Sequence, residues 1–168
     1  MSIFHSILTS LRNQFLSPDN THPWVIGFSA GKDSTLLLHL VIKMLQNICP
    51  SDRMHRRVYI MCNDTGVDSP VYQAHADAVL TRLEEALRPL RLDNVDVVRT
   101  RPKPEHSFWF MVAGRGYRAP SMHFRWCTDR LKIRPTQEFL HSVLNQSPAI
   151  LLLGVRRDES TTRAASIE

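Results

Sequence analysis

The chain has 168 residues, of which 43% are hydrophobic and 22% charged, and its formal net charge is +5. This composition and length fit one folded globular domain spanning residues 1–168 and argue against intrinsic disorder. The longest apolar runs are too short for a bilayer and the N-terminus has no signal-peptide pattern, so we expect a cytoplasmic protein without membrane contact.

Hydrophobic periodicity and turn residues divide the chain into alternating helices and strands. In chain order they predict an N-terminal helix at residues 2–16, a strand at 24–28, a helix at 34–45, a strand at 58–62, a helix at 70–87, a strand at 95–98, a helix at 135–144 and a strand at 149–153. Residues 47–57 are predicted to be irregular, as is a basic excursion at about 99–134, apart from a short helix near residues 108–112.

Strands that alternate with helices predict an α/β fold, with a parallel sheet of about five strands and helices on both faces. Ligands of such sheets bind at the carboxyl ends of the strands. We therefore expect the loops at residues 29–34, 63–69 and 154–163 to converge into one site.

The first of these loops has the sharpest pattern for anion binding. Ser29, Ala30 and Gly31 are small enough for main-chain amides to approach an anion, and the next helix directs its positive end to the same place. Lys32 adds a full positive charge. The plainer interpretation is a strand–turn–helix with Ser34 as the N-cap. Neither the Walker A pattern nor G-x-G-x-x-G is present.

Four blocks in order resemble a known family. Phe28-Ser-Ala-Gly-Lys-Asp-Ser34 is similar to the SGGxDS loop (PP-loop) of ATP pyrophosphatases. Asn63-Asp-Thr-Gly66 and Gly154-Val-Arg-Arg-Asp-Glu-Ser-Thr-Thr-Arg163 resemble segments of phosphoadenylylsulfate reductases. Phe124-Arg-Trp-Cys-Thr-Asp-Arg-Leu-Lys-Ile-Arg-Pro135 is most like DndC, the ATP pyrophosphatase of DNA phosphorothioation. The resemblance runs from about Pro23 to the last residue.

The resemblance implies cleavage of ATP to AMP and pyrophosphate, with Mg²⁺, in order to activate the DNA backbone for sulfur incorporation. It implies catalytic roles for Lys32, Asp33 and Ser34, with Asp33 as a candidate Mg²⁺ ligand. The implied ATP-binding residues are Ser29, Ala30, Gly31, Lys32, Asp33, Ser34, Asp64, Thr65, Gly66 and Gly154. The implied substrate- and phosphate-binding residues are Arg125, Cys127, Lys132, Arg156, Arg157, Glu159, Ser160 and Arg163. The implied partners are DNA, a cysteine desulfurase and other DNA sulfur-modification proteins.

Three departures qualify the resemblance. Ala30 replaces the usual second glycine of the loop, which is tolerated if its φ is negative. An iron–sulfur cluster is associated with DndC-type proteins, but Cys49, Cys62 and Cys127 are too scattered to form a four-thiolate site. The chain ends a few residues after the last block and lacks the reductases' C-terminal cysteine motif, so a C-terminal truncation is one interpretation.

Several alternatives stay open at this point. Asp64 could contact the nucleotide or Mg²⁺, or could shape its turn or cap the following helix. Trp126 and Tyr117 could stack on a base, although burial in a local core is the favoured role for Trp126. The last-block arginines could bind phosphate or pair with neighbouring acids.

Nine basic residues against two acidic ones between Arg99 and Arg134 favour an anionic partner, and a solvated basic face is the alternative. As a whole, the protein could also be a reductase or sulfurtransferase acting on a nucleotide, or a non-catalytic ATP-binding subunit.

Overall fold

A computed structural model describes residues 3–121, 123–144 and 147–155. The helices are α1 (Ile3–Phe15), α2 (Lys32–Gln46), α3 (Pro50–Arg53), α4 (Pro70–Leu87), α5 (Trp126–Thr128) and α6 (Arg134–Leu144). The strands are β1 (Trp24–Gly27), β2 (Val58–Asn63), β3 (Val95–Thr100) and β4 (Ile150–Leu153). Short 3-10 turns lie at Arg88–Leu90 and Pro104–His106, and π-helical turns at Phe110–Gly114 and Asp129–Ile133. None of the helices in these ranges is long and apolar enough to cross a membrane.

All four strands pair in parallel in the order β3-β2-β1-β4. Trp24, at the start of β1, lies opposite Val58 of β2 on one side and Ile150 of β4 on the other. The predicted α/β class is therefore confirmed. The described residues provide four strands, so the expected number of about five was only approximate.

The helices that connect the strands lie on both faces of the sheet, because the parallel crossover connections are right-handed. From β1 the chain passes through α2 to β2 and through α4 to β3, always in one direction across the sheet. It then returns through α6 to β4, on the far side of β1. Because parallel crossovers are right-handed, the reversal of direction sends α6 to the opposite face from α2 and α4.

The larger core lies on the face covered by α1, α2 and α4. Trp24 and Ile26 of β1 are fully buried there, together with Val41 and Leu45 of α2. Phe15, the last residue of α1, packs edge-on against Trp24 with ring centroids 5.1 Å apart. This contact explains why α1 ends against the sheet even though most of its residues are exposed.

On the opposite face, Val25, Tyr59 and Met61 form a smaller core beneath α6. Tyr59 packs edge-on against Phe139 of α6, with 5.5 Å between ring centroids. The two central strands therefore bury alternate residues on opposite faces. This is why they are apolar at nearly every position rather than at every second one.

Two stretches contain more regular structure than their sequence predicts. Residues 47–57 include α3, which begins at Pro50, a residue well suited to the first position of a helix. Within the expected irregular excursion, α5 runs through a π-helical turn into α6, so helical structure extends from Trp126 to Leu144. The π-helical turn interrupts the regular α-helical hydrogen bonding just before Pro135, which has no N–H group to donate. That proline marks an internal irregularity as well as the start of the predicted helix.

Candidate functional site

The carboxyl ends of β1 and β4 lie side by side, with Gly27 opposite Leu153. The chain leaves β1 for α2 on one face, but it arrives at β4 from α6 on the other. The strand order therefore reverses direction between these two strands. A reversal of this kind opens a crevice at the carboxyl edge, where α/β sheets bind their ligands. Residues 28–34 follow β1 directly at this point.

The loop after β1 is closed by the side chain of Ser34. Its hydroxyl donates to the carbonyl oxygen of Gly31 (3.0 Å) and accepts from the amide of Ser29 (3.2 Å), and the two serine oxygens are 3.2 Å apart. Ser34 is buried, so it is placed to hold the loop together. The alternative that Ser34 caps the helix is wrong, because the N-cap is Gly31 and α2 already begins at Lys32.

The backbone N–H groups in the first turn of α2 point towards the crevice. They have no hydrogen-bond acceptor within the helix, and the N-cap residue Gly31 has no side chain that could accept from them. Lys32 is exposed at this end, and Asp33 is half-buried in the same turn. A helix of 15 residues adds the positive end of its dipole. The amides and the dipole of the helix, together with Lys32, therefore favour an anion in spite of the negative charge of Asp33.

Ala30 has a φ of +54°, in the left-handed region. The expectation that this alanine is tolerated through a negative φ is therefore wrong. The chain has only residues 28–31 in which to turn from β1 into α2, and a left-handed residue makes that turn. Glycine adopts this conformation freely, whereas an L-residue with a Cβ is strained there by roughly 1–2 kcal/mol. The loop of this protein keeps the glycine-like backbone with an alanine.

Gly154, immediately after β4, touches the first turn of α2. A Cβ at this position would lie 2.6 Å from the carbonyl oxygen of Asp33 and 3.0 Å from the amide nitrogen of Ser34. Only glycine allows the two backbones to approach so closely. This glycine, predicted to contact ATP, therefore lies against the loop and brings the end of β4 into the site.

Tyr72, in the first turn of α4, also reaches the loop. Its hydroxyl donates a short hydrogen bond to the carbonyl oxygen of Ser29. Burial, followed by the charge of Asp68, raises the pKa of Tyr72, so the hydroxyl keeps its proton and remains a donor. The sequence interpretation did not include this residue. The available signal was its position two residues after Pro70, in the first turn of a helix that starts at the same sheet edge.

The loop after β2 is built around two acidic turns. Asp64 accepts from the amide of Gly66 at 3.0 Å, and Gly66 has a φ of +70°. Thr65 is buried and donates to Asp68 at 2.7 Å. The N-cap of α4 is Ser69, which accepts from the amide of Tyr72 at 3.2 Å. Of the structural roles considered for Asp64, the structure therefore shows turn formation rather than capping.

Asp64 is in addition ion-paired. Both Nε and Nη2 of Arg101 lie 2.7 Å from its Oδ2 atom. Arg101 is largely exposed, whereas Asp64 is mostly covered. This ion pair connects the loop after β2 to the segment that follows β3, both of which lie at the carboxyl edge of the sheet.

Asn63, the last residue of β2, connects the sheet to the basic excursion. Its side-chain amide donates to the carbonyl oxygen of Lys132 (3.0 Å) and to the hydroxyl of Thr136 (3.1 Å), and its oxygen accepts from Thr100 (3.1 Å). Lys132 lies in the second π-helical turn. Residues 129–136 are thereby held beside the end of β2.

The predicted substrate-binding residues divide into two groups. Arg125 is exposed at the N-cap of α5, Cys127 is half-buried within α5, and Lys132 is exposed in the π-helical turn. The others lie outside the described residues: Arg156, Arg157, Glu159, Ser160 and Arg163.

Many basic residues of the 99–134 segment are paired with acids, several of them outside it. The pairs are Arg99 with Asp77, Arg101 with Asp64, Lys103 with Glu138, and both Arg130 and Arg134 with Asp129. Counting charges along the sequence missed Asp77, Asp64 and Glu138, which approach only in the fold. Arg115 and Arg118 are exposed and form no ion pair with another described residue.

The three cysteines lie apart in the fold. Cys49 precedes α3 at the end of the sheet opposite the site, whereas Cys62 is near the carboxyl end of β2 and Cys127 is in α5. Among the residues that the structure describes, no group of three or more His, Cys, Asp or Glu side chains could hold a metal ion. These residues therefore do not fit an iron–sulfur cluster.

Comparisons with known proteins agree with this architecture. The family model of the phosphoadenosine phosphosulfate reductase domain matches residues 23–167. The uncharacterized protein MJ0066 of Methanocaldococcus jannaschii is 25% identical over 142 residues, which are 84% of this chain and 24% of that protein.

Among solved structures, the U34-tRNA thiolase NcsA from Methanococcus maripaludis, with its 4Fe-4S cluster, superposes with a TM-score of 0.52 at 16% identity. The match covers 97% of this chain and 49% of that one. At this level of identity the likeness shows a shared fold. The chain thus spans about a quarter of the first relative and about half of the second.

Proposed function

The chain belongs to the phosphoadenosine phosphosulfate reductase domain family, a nucleotide-acting and sulfur-related family of enzymes, and we propose that it is a PP-loop ATP pyrophosphatase. The observation that carries the proposal is the loop at residues 29–34. It lies at the reversal point of the sheet, is closed by the Ser34 hydroxyl, and leads directly into the positive end of α2. Backbone amides, a lysine and a helix N-terminus together suit a polyphosphate.

The proposed reaction takes place at the α-phosphorus of ATP. An oxygen nucleophile forms a bond to this atom, the bond to the α–β bridging oxygen breaks, and pyrophosphate leaves. Water as nucleophile gives AMP, whereas another acceptor oxygen becomes adenylated. Negative charge develops on the leaving pyrophosphate, where Lys32 and the amides of α2 are placed to stabilise it. No nucleophile from the protein is required.

Mg²⁺ is the metal that this chemistry implies. It is usually held by one or two carboxylates together with substrate phosphates. Asp33, in the first turn of α2, is the candidate that belongs to the loop, and Asp64 is a second candidate from the neighbouring loop. When bound, the ion would neutralise phosphate charge. If Asp64 rather than Asp33 held the ion, its Oδ2 atom would have to give up part of its contact with Arg101.

We propose DNA as the acceptor, with sulfur supplied by a cysteine desulfurase in a DNA phosphorothioation system. A DNA phosphate oxygen would be adenylated as pyrophosphate leaves. The terminal persulfide sulfur of the desulfurase would then attack the DNA phosphorus, the P–O bond to the adenylyl group would break, and AMP would leave with that oxygen. A thiol reductant would finally cleave the S–S bond to release the desulfurase. Support comes from Asn63, which holds residues 129–136 beside the site, and from the exposed Arg115 and Arg118 in the same basic segment. Contacts of this kind with a phosphate backbone weaken as salt rises, because counterions are released on binding.

Product analysis tests the proposal directly. ATP labelled at the α- or the γ-phosphate is incubated with Mg²⁺, with and without DNA. We expect labelled AMP from the first and labelled pyrophosphate from the second. Lys32→Ala should lower the rate about 10²–10³-fold, the usual effect of losing one charge-stabilising contact.

Lys43→Ala is the matched control, because Lys43 is an exposed lysine in the last turn of the same helix, roughly 16 Å from Lys32. Release of ADP and phosphate would refute the proposed cleavage position. Equal rates for the two lysine variants would remove the loop from the mechanism.

The family match favours one other candidate, an enzyme that reduces or transfers the sulfonate of a sulfated nucleotide. Incubating phosphoadenosine phosphosulfate with a thiol reductant distinguishes the two. Sulfite release without pyrophosphate release from ATP would support this second candidate. ATP binding without any turnover would instead indicate a nucleotide-binding subunit.

A further inference from the structure

Three aromatic side chains of the basic segment face solvent. Trp109 is 66% exposed, Phe110 is 44% exposed and Phe124 is 44% exposed. Isolated exposed apolar residues are common, but these three large rings belong to one short excursion between β3 and α6.

An aromatic cluster around the buried Trp126 supports the exposed rings. Trp126 is only 8% exposed, which confirms its predicted role in a local core. It stacks on Phe108 with centroids 5.5 Å apart and contacts Tyr117 edge-on at 5.6 Å. Its indole also donates to the carbonyl oxygen of Arg118 at 3.0 Å. The cluster therefore has a hydrogen-bonded anchor.

Two of the exposed rings, Trp109 and Phe124, contact this cluster directly. Trp109 packs edge-on against Phe108 at 5.2 Å, and the Phe124 ring lies 6.5 Å from that of Tyr117. Phe110 opens the first π-helical turn. The packing limits the freedom of Trp109 and Phe124 before any ligand arrives, so less entropy is lost on binding.

Positive charge accompanies these rings. The guanidinium of Arg115 lies 5.5 Å from the centroid of Phe110, and the Trp126 indole bonds to the backbone of Arg118. Both arginine side chains are exposed and unpaired with other described residues, whereas most basic residues elsewhere in the segment are ion-paired. Exposed aromatic rings, one of them in contact with an unpaired arginine and a second unpaired arginine nearby in the same excursion, form a combination that suits single-stranded nucleic acid.

We propose that Trp109, Phe110, Phe124, Arg115 and Arg118, together called the aromatic–arginine surface, bind unpaired bases of a single-stranded nucleic acid. The rings would stack on bases and the arginines would contact the adjoining phosphates. A duplex fits this surface poorly, because its bases are already stacked on each other. The inference rests on the proposed function, for which it specifies an unpaired nucleic-acid segment as the substrate region.

The fluorescence of Trp109 provides a direct test. The chain has three tryptophans, and Trp24 and Trp126 are 0% and 8% exposed. Stacking of a base should therefore quench mainly Trp109. The probes are a twelve-nucleotide oligo-dT, the corresponding oligo-U and a blunt duplex of equal length, each titrated at low salt. We expect quenching by oligo-dT and much weaker binding of the duplex. Because the proposed acceptor is DNA, oligo-dT should bind at least as tightly as oligo-U, and binding of oligo-U alone would exclude DNA as the ligand.

Substitutions then assign the binding to this surface. Trp109→Ala should weaken single-strand affinity, measured by anisotropy of a labelled oligonucleotide, by roughly 5- to 150-fold if one base stacks there. Trp109→Phe should keep most of the affinity, because it retains an aromatic face. Phe4→Ala is the control, since Phe4 is an exposed aromatic residue of α1. It should bind as wild type does.

Three outcomes would overturn the inference: equal affinity for duplex and single strand, unchanged affinity in Trp109→Ala, or self-association of the protein that Trp109→Ala abolishes in sedimentation velocity. The last would make the surface a protein interface. Pyrophosphate release from ATP, measured on the same preparations, is independent of these results. Single-strand binding without pyrophosphate release would refute the proposed function and leave this inference standing. Pyrophosphate release without single-strand binding would refute only this inference.

Discussion

Replacing Ala30 by glycine tests the backbone of the loop. With φ at +54°, the Cβ of Ala30 is strained by roughly 1–2 kcal/mol, and glycine removes that strain. Ala78, exposed in the middle of α4, provides a matched control. There the same substitution relieves nothing and should destabilise the protein by about 1 kcal/mol.

The comparison of the two variants isolates the strain. Both glycines add similar freedom to the unfolded chain, about 0.4–1 kcal/mol, and this cancels in the difference. The methyl group of Ala30 is partly packed against the core, which offsets up to about 0.8 kcal/mol of the gain. We therefore expect Ala30→Gly to be more stable than Ala78→Gly by about 0.2–2 kcal/mol, equivalent to roughly 0.4–8 °C in Tm.

Urea unfolding followed by circular dichroism measures this difference, provided that the two variants have equal m-values. If Ala30→Gly destabilised the protein as much as Ala78→Gly, Ala30 would have no left-handed strain and the proposed loop backbone would be refuted.

Two further predictions concern groups near the loop. Tyr72→Phe removes the hydrogen bond to the Ser29 carbonyl oxygen, so ATP affinity measured by calorimetry should fall by up to about 12-fold. Unchanged affinity would mean that Tyr72 does not position the loop. Burial raises the pKa of the Cys62 thiol, so its alkylation, followed by mass spectrometry, should need more alkaline pH than that of the exposed Cys49. Because the folded protein holds the Cys62 proton more tightly than the unfolded chain does, the protonated thiol stabilises the fold at pH values below the ordinary thiol pKa. This stabilisation is lost as the pH rises through the pKa that Cys62 has in the folded protein. Equal alkylation rates at neutral pH would contradict this.

Local sequence patterns were sufficient for most of the secondary structure. The helix at residues 70–87 was predicted with the bounds that it has, because Pro70 begins it and its apolar spacing persists to Leu87. The helix α5 and its π-helical turn were missed. Three helical residues and a π-helical turn have no hydrophobic period of their own, and Asn63 and Thr136 help to hold them from outside.

The candidate site was predicted in part for the same reason. Small residues between a strand and a helix identify the loop at residues 29–34, because that pattern is local. Tyr72 was missed since its partner, the carbonyl oxygen of Ser29, is 43 positions away in the chain. The backbone angle of Ala30 was predicted with the wrong sign, because the residue type indicates its preferred conformation and not the turn that the fold imposes.

By itself, the sequence determined the α/β class, the order of the main helices and strands, and the loop with the strongest pattern for anion binding. These depend on hydrophobic period and on turn residues, which act over a few positions. Only the tertiary structure decided that Gly154 touches α2, that Asp77 and Glu138 pair with basic residues of the 99–134 segment, and that Trp109 is exposed while Trp126 is buried. Such properties depend on distances between groups that are far apart in the chain, and only the packing of the sheet and its helices sets those distances.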